Sequence, residues 1–462
     1  MADEAGGWRE RVFGSPMFFR LWCSQVVSAT GDWLGLLAIT ALAARVGGGN
    51  NGAAISLVLS ARIVPGFFLG PVAGVLVDRW NRKRLMIICD VGRAGVLAVL
   101  PFIDSIGGLV VASLVMEVFT LLWSPAKEAS VPHLVPADHL TAANSLSLVA
   151  AYGTFPIGSA LLAVLAKLSE PLQDLTFLDG LHVDDIGLPL YVDSATFLLS
   201  ALIVWTLTLP AGSRAERRRE EHGEEATSAS QTFGELKEGW RFLAVNPVVR
   251  AVNVGLATGL IGGGMLVPLG PLFASQVLQA GDAGFGVLTT SLGFGMAAGV
   301  SVLSLFQKRL PKAEVFTGSV LVAGASLVIA ASTSTLALAA PLVAMLGLCA
   351  GAVYVLGFTL LHENVDDELR GRIFSALYTL VRLCVLIAFA VGPLLADILD
   401  NVSERLVDGH VELLGVTVSV PGVRLTLWLA GLIIMAAGVL ARFSVRGRAS
   451  VADVPVTAEE PE

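Results

Sequence analysis

The chain has 462 residues, 55% of them hydrophobic and only 15% charged, with a mean hydropathy of +0.75. Water-soluble domains carry about 25% charged residues, so a soluble cytosolic enzyme is excluded. A net charge of −8, with the basic residues in short clusters, leaves no surface for nucleic acid.

The chain opens with MADEAGGWRERVFG, which is mixed in charge and lacks a short apolar core, so it is not expected to act as a signal peptide. Apolar stretches then fall at 17–45, 52–77, 84–103, 107–126, 141–166, 190–210, 247–275, 284–306, 314–332, 335–361, 373–399 and 423–442. Crossing the hydrocarbon layer takes about 20 residues of helix, and each of these is close to that length. They are continuous, whereas a barrel would show short alternating segments. Backbone polar groups in lipid must be satisfied within the segment, so these stretches are predicted to be helices. The fold class is therefore an all-α membrane protein with twelve transmembrane helices. Four cysteines, Cys23, Cys89, Cys349 and Cys384, sit singly in apolar runs and read as small buried hydrophobes.

The thirty Lys and Arg residues set the orientation. With the N-terminus in the cytoplasm, only Arg45, Lys167, Arg405 and Arg424 fall outside, and only Arg62, Arg93 and Arg382 fall within spans. All the others are cytoplasmic, as are both termini, which predicts a multi-pass protein of a bacterial-type inner membrane. A charged stretch, RAERRREEHGEEATSASQ, divides the spans six and six. The expected organisation is a cytoplasmic N-terminus (1–16), a six-helix half (17–210), a linker (211–246), a second six-helix half (247–443) and a cytoplasmic tail (444–462). The linker reads as flexible, with a surface helix near Gly234–Phe242. Two acidic outer loops, Ser169–Leu188 and Asp400–Gly422, read as solvated loops that fold back over the outer mouth. Internal repetition is weak but consistently placed: the fourth and tenth spans lead into similar acidic turns, as expected for paired halves.

Between the second and third spans lies Gly74-Val-Leu-Val-Asp78-Arg79-Trp-Asn81-Arg82-Lys-Arg84. It resembles the G-x-x-x-D-R-x-G-R-R/K loop of the major facilitator superfamily. Gly74 lets helices approach closely, and Asp78 can sit against the positive N-terminus of another helix. The resemblance implies that this helix is the eleventh, beginning near Arg372. Arg79 and Arg82 would then pair with carboxylates at neighbouring helix ends, Glu128 and Glu363 being candidates. Asn81 replaces the usual glycine and tolerates a left-handed backbone better than most residues. FFRLW and GDW in the first span, LVPADHLTAANSL after the fourth, LYVDSATF in the sixth and DELRGRIFSAL before the eleventh resemble the macrolide-efflux and enterobactin-exporter branch. That resemblance implies the major facilitator fold of two six-helix halves. The exporter pattern G-x-x-x-G-P-x-x-G is degraded here to Gly153-Thr-Phe-Pro156-Ile-Gly158-Ser, which should still loosen the fifth helix.

A charged side chain at mid-bilayer costs about 2.5–3.5 kcal/mol on insertion scales, so each one requires a reason. Asp32 lies ~18 Å up the first span from Arg20, and Arg62 lies ~24 Å up the second from Asp78, at 1.5 Å per residue. Those depths predict an Asp32–Arg62 pair, and the resemblance implies that it lies near the central cavity, because the family fold places the first helix along the pathway. Two readings stand for Asp32: a proton-coupling site loaded from alternate sides, or a permanent ion pair between helices. Arg62 reads as its counter-ion. Glu117, midway along the fourth span, is the second proton-coupling candidate. Arg93 is expected to pair either with Glu117 or with Asp90. Arg382 either faces the cavity and attracts an anionic group or snorkels to the interface. Asp193 and Asp397 read as interfacial. Gln25, Trp33, Asn253 and Tyr354 are candidate cavity residues.

The six histidines are scattered and no phosphate-binding loop is present, so neither a metal site nor ATP hydrolysis is expected. The sequence reading is a secondary active exporter, not an enzyme. It would be a monomer in the lipid bilayer without cofactors, using the proton gradient to expel amphipathic, drug- or siderophore-like small molecules. The alternatives are a lysophospholipid transporter and a non-transporting sensor or scaffold.

Overall fold

A computed structural model describes residues 8–48, 51–136, 139–173, 180–208, 247–306, 310–364, 367–407, 410–413 and 416–452. The linker and its expected surface helix lie outside the described residues. Among the described residues eleven helices are long and apolar enough to cross a membrane, and the helix Asn51–Arg79 stands at the remaining expected segment.

The first span, Pro16–Val46, starts where its sequence says it should. Ser15 is extended and its hydroxyl accepts from the Phe18 N–H at 3.0 Å, with proline at the first helical position. The second span, Asn51–Arg79, is followed after two residues by the third, Arg82–Val99. Here the structure revises the role of Asn81. Its backbone is extended (φ −70°, ψ 108°), and its side chain accepts from the Arg84 N–H at 3.0 Å. Asn81 is thus the N-cap of the third span and takes no left-handed turn.

The fourth span is Ile106–Glu128. The fifth is interrupted at Gly153-Thr154, between helices Leu140–Tyr152 and Phe155–Gln173, as its glycine and proline imply. The sixth is Gly187–Trp205.

The seventh span is also broken. It runs as Pro247–Gly264, then Leu266–Leu272, then a π-helical turn Phe273–Val277. Gly281–Phe306, Lys312–Ser332, Leu336–Asn364, Asp367–Val407 and Gly422–Ala452 complete the series. The loop expected at 400–422 is shorter than its sequence suggested, because the eleventh helix extends to Val407. The rest contains an antiparallel hairpin of β1 (His410–Leu413) and β2 (Val416–Ser419), with His410 opposite Ser419.

The chain forms two compact units. One comprises Met1–Glu224, Val267–Thr290 and Phe389–Val423, and the other Glu225–Leu266, Ser291–Ala388 and Arg424–Glu462. In the first unit the first span is the most buried and packs on the second, fifth and sixth. The third packs on the fourth and the sixth.

In the second unit the eighth and tenth spans meet backbone to backbone. A Cβ on Gly295 would lie 2.0 Å from the Ala344 carbonyl oxygen, and one on Gly299 2.1 Å from that of Leu348. Reciprocally, a Cβ on Gly347 would lie 2.1 Å from the Leu292 carbonyl oxygen, and one on Gly351 2.3 Å from that of Met296. Each helix thus presents a Gly-x-x-x-Gly face to the other, and the contact is dispersion at close range, since lipid offers no hydrophobic drive. Gly347→Val should lower thermal stability in detergent by about 1–3 kcal/mol, the usual cost of overpacking. Gly318→Ala, at a position with open space around it, should not lower it.

Candidate functional site

Two of the carboxylates inside the spans of the first unit, Asp90 and Asp32, meet at Arg93. It lies on the third span with Asp90 one turn before it, and the two form an ion pair. The guanidinium is 1% exposed and Asp90 is not exposed at all. The Arg93 guanidinium carbon sits 4.1 Å from the Phe197 ring centroid and 5.3 Å from that of Trp123, so aromatic faces enclose the cation. The second oxygen of Asp90 accepts from Ser200 Oγ at 2.8 Å. Ser200 spends its proton there, so Ser24 on the first span donates to Ser200, also at 2.8 Å. Asp90 is thus bonded through both oxygens, and one hydrogen-bonded chain ties the first, third and sixth spans.

Asp32 joins this group from the first span, its Oδ2 3.6 Å from Arg93 Nη1. That distance allows electrostatic attraction but is too long for a hydrogen bond. The Asp32 side chain is 33% exposed, in contrast to its partner. Arg93 Nε has no acceptor among the described residues. Asp32 is therefore the loosely held, accessible member of a buried network.

The expected Asp32–Arg62 pair is not formed among the described residues: Asp32 faces Arg93 on the third span instead. Of the two pairings open for Arg93, the structure forms the one with Asp90. Glu117 is half-buried on the fourth span, its Oε1 3.7 Å from where a Cβ on Gly66 would stand. Asp193 is not interfacial but 1% exposed, two turns inside the sixth span. The sequence signal that could have located it is Gly31-x-x-x-Gly35, because both glycines pack against its carboxyl group.

The cavity candidates divide. Gln25 Nε2 donates to the Ser147 carbonyl at 2.9 Å, and Trp33 Nε1 to that of Ala151 at 2.9 Å. Trp22 Nε1 makes the same kind of bond to Leu146 at 2.8 Å. These side chains tie the first span to the interrupted fifth, so Gln25 and Trp33 are helix-to-helix ties. In the second unit Asn253 is buried, while Tyr354 and Arg382 are exposed.

In the loop motif, the side chains of Gly74, Asp78 and Arg79 lie outside the described residues. Arg82 donates to the Ala129 backbone carbonyl at 3.0 Å, not to the carboxylate of Glu128, which is exposed. Glu363 pairs with Lys312.

A second charged cluster lies at the opposite ends of these helices. Asp397 of the eleventh span caps the start of the second: its Oδ1 accepts from the Gly52 N–H at 3.2 Å and its Oδ2 from the Ala53 N–H at 3.0 Å. These are unsatisfied donors of a helix start, and a carboxylate is the favoured partner. Nearby sequence elements add Arg45, which pairs with Asp184, with Asp185 at 2.5 Å and with Asp282 at 3.3 Å. Burial pushes the Asp185 carboxyl up, but a hydrogen bond from Asp282 and the Arg45 charge outweigh it, leaving it below the ordinary carboxylate range. A carboxyl held low in this way contributes above its unfolded pKa, and that contribution is lost as pH falls through its lowered value.

A bundle of membrane-length helices around buried ion pairs defines a polytopic membrane protein of the transporter type. The family model of the Major Facilitator Superfamily matches residues 21–389, and the chain belongs to that superfamily. It is 24% identical over 396 residues to macrolide efflux protein A of Streptococcus pyogenes, spanning 82% of this chain and 89% of that protein. It is 25% identical over 393 residues to the multidrug efflux pump Tap of Mycobacterium bovis, with 82% and 85% covered. Among solved structures, a bacterial homolog of the human lysosomal transporter Spinster matches with a TM-score of 0.68 at 15% identity, over 96% of this chain and 99% of that one. That likeness is one of fold.

Arg93→Gln strips the buried Asp90 of its counter-charge and should destabilise the protein by about 3–5 kcal/mol. Adding Asp90→Asn should recover much of the loss. Asp32→Asn alone should barely move the melting temperature, since Asp32 is one-third exposed and stands 3.6 Å from Arg93, too far for a hydrogen bond. Thermal unfolding of the purified variants in detergent checks all three.

Proposed function

We propose that this major facilitator protein is a proton-coupled exporter of amphipathic small molecules, with Asp32 as the proton-loading group. The observation that carries this reading is the asymmetry of the Asp32–Arg93 contact. A coupling carboxyl must reach water and must also change the energy of the buried bundle when it is protonated. Asp32 does both: it is one-third exposed and lies within electrostatic reach of a guanidinium that is otherwise wholly enclosed. Protonating Asp32 removes one of the two carboxylates that neutralise Arg93. The group then has a reason to rearrange, and the change is local and reversible.

The class of cargo follows from the resemblance to efflux proteins, and two relatives bear the names of a macrolide efflux protein and a multidrug pump. Export by alternating access in a cell membrane, with both termini cytoplasmic, is the cycle this reading requires. The Asp397 cap and the Arg45 cluster then lie at the outer face. They act as a clasp that joins the ends of the eighth and eleventh spans to the first and second and must open once per cycle. Acid on that face favours opening, since it protonates the carboxylates that Arg45 holds.

In inside-out vesicles carrying Asp32→Asn, export of a macrolide or dye driven by a pH gradient should be abolished while expression and folding are unchanged. Undiminished gradient-driven transport in that variant would contradict the reading. The clasp has its own test. With the four native cysteines replaced by serine, Ala54→Cys should react slowly with a membrane-impermeant maleimide, because Ala54 is fully buried. Adding Asp397→Ala should raise that rate at least several-fold.

A further inference from the structure

We infer that Asp193 is a second proton-binding carboxyl, which exchanges its proton through Asp32. The inference rests on the reading of Asp32 as the proton-loading group, and it adds a residue that the coupling would otherwise lack.

The argument starts from charge balance. Within the spans of this unit four carboxyls, Asp32, Asp90, Glu117 and Asp193, stand against two guanidiniums, Arg62 and Arg93, so full ionisation leaves unmatched negative charge inside it. Asp90 is matched by its bonds to Arg93 and Ser200, and Asp32 is held near Arg93 and reaches solvent. Asp193 has neither advantage. It is 1% exposed, and no guanidinium or ammonium approaches it within 4.0 Å among the described residues.

Hydrogen-bond accounting places the spare proton. Thr196 Oγ1 lies 2.7 Å from the Asp193 backbone carbonyl oxygen and 3.2 Å from Asp193 Oδ1. A hydroxyl has one proton, and a carbonyl oxygen only accepts. The shorter contact takes most of the Thr196 proton. The longer one receives at most a share of it, a weak three-centre bond that leaves Oδ1 poorly satisfied as a carboxylate. The remaining surroundings offer a carboxylate nothing: a Cβ on Gly31 would sit 2.2 Å from Oδ1 and one on Gly35 2.0 Å from Oδ2. The carboxyl is thus pressed into a notch of aliphatic backbone on the first span, whose amide protons are spent within the helix. A buried ion with no partner is strongly disfavoured, and the neutral acid is the form that fits.

The notch also provides the coupling. Gly31 and Asp32 are consecutive, so a shift of the first span that frees Asp32 from Arg93 also moves the wall of the Asp193 pocket. The charges acting on Asp193 are those of Asp32 on the first span, Arg62 on the second and Arg93 on the third, next to Asp90. The fifth span carries only Lys167 and Glu170, both exposed near its far end. In the exchange step the O–H bond of Asp193 breaks and one forms on Asp32. The negative charge moves from Asp32 to Asp193, which lies in the fields of Arg62 and Arg93 without contact to either, so the ionised state is short-lived and Asp32 delivers the proton to solvent. No other reactant is needed.

Infrared difference spectroscopy of the purified protein between acid and alkaline pH tests this directly. The wild type should show a protonated-carboxyl band that titrates. Asp193→Asn, which keeps the size and the hydrogen-bond donor of the neutral acid, should melt as the wild type does and lose that band. Asp32→Asn should keep the band but no longer titrate it, because the exchange route is cut. A wild-type spectrum without a titrating carboxyl band overturns the inference even if Asp193→Asn does not fold. So does a band that survives unchanged in Asp193→Asn. Failure of the Asp32 reading shows separately, as gradient-driven export retained by Asp32→Asn.

Discussion

Much of the first unit is organised around a guanidinium that has no route to water. Arg93 is enclosed by Phe197 and Trp123, so its charge must be met by protein, and the third, sixth and first spans supply what it needs. Asp90 gives the tight partner. Ser200 and Ser24 satisfy what remains of Asp90, and Asp32 completes the balance from the side that reaches solvent. A buried pair of this kind adds little net stability, because desolvation offsets most of the attraction. Its value lies in its sensitivity. On the proposed reading, once the inner pair is fixed, protonation of Asp32 is the event that changes the electrostatics of the whole group. A proton is the smallest signal that can bias a membrane bundle between two arrangements.

The spans themselves were legible in the sequence, because bilayer thickness sets a length that soluble segments rarely reach. The list of in-membrane charges was equally legible, since each is costly enough to stand out. Their partners were not. Counting residues from a helix end gives depth at 1.5 Å per residue but says nothing about which neighbour the side chain faces. Arg62 and Arg93 lie on consecutive spans, both within reach of Asp32 by depth, so depth could not choose between them. Asp193 was misplaced for a related reason. The sixth helix begins at Gly187, so a residue that looked terminal lies inside the bundle.

Other misreadings came from assigning polar side chains to a cavity before helix packing had used them. Gln25 and Trp33 donate to carbonyls of the fifth span near its break at Gly153, a demand that a list of polar residues cannot reveal. Asn81 has a similar lesson. The family motif favours glycine there for backbone freedom, but this chain uses the side chain to cap the third span. The Gly-x-x-x-Gly faces of the eighth and tenth spans were present in the sequence, but their reciprocity emerges only when Gly295 and Gly347 are seen to meet the opposite backbone.

The central claim is that substrate and proton move in opposite directions through one protein. Proteoliposomes containing a pH-sensitive dye in the lumen, with no imposed pH gradient, test it most directly. A macrolide gradient imposed across the membrane should drive protons against the direction of drug flow and change the lumenal pH, with the change absent from protein-free vesicles. Drug movement across the wild-type protein with a flat lumenal pH would contradict the account.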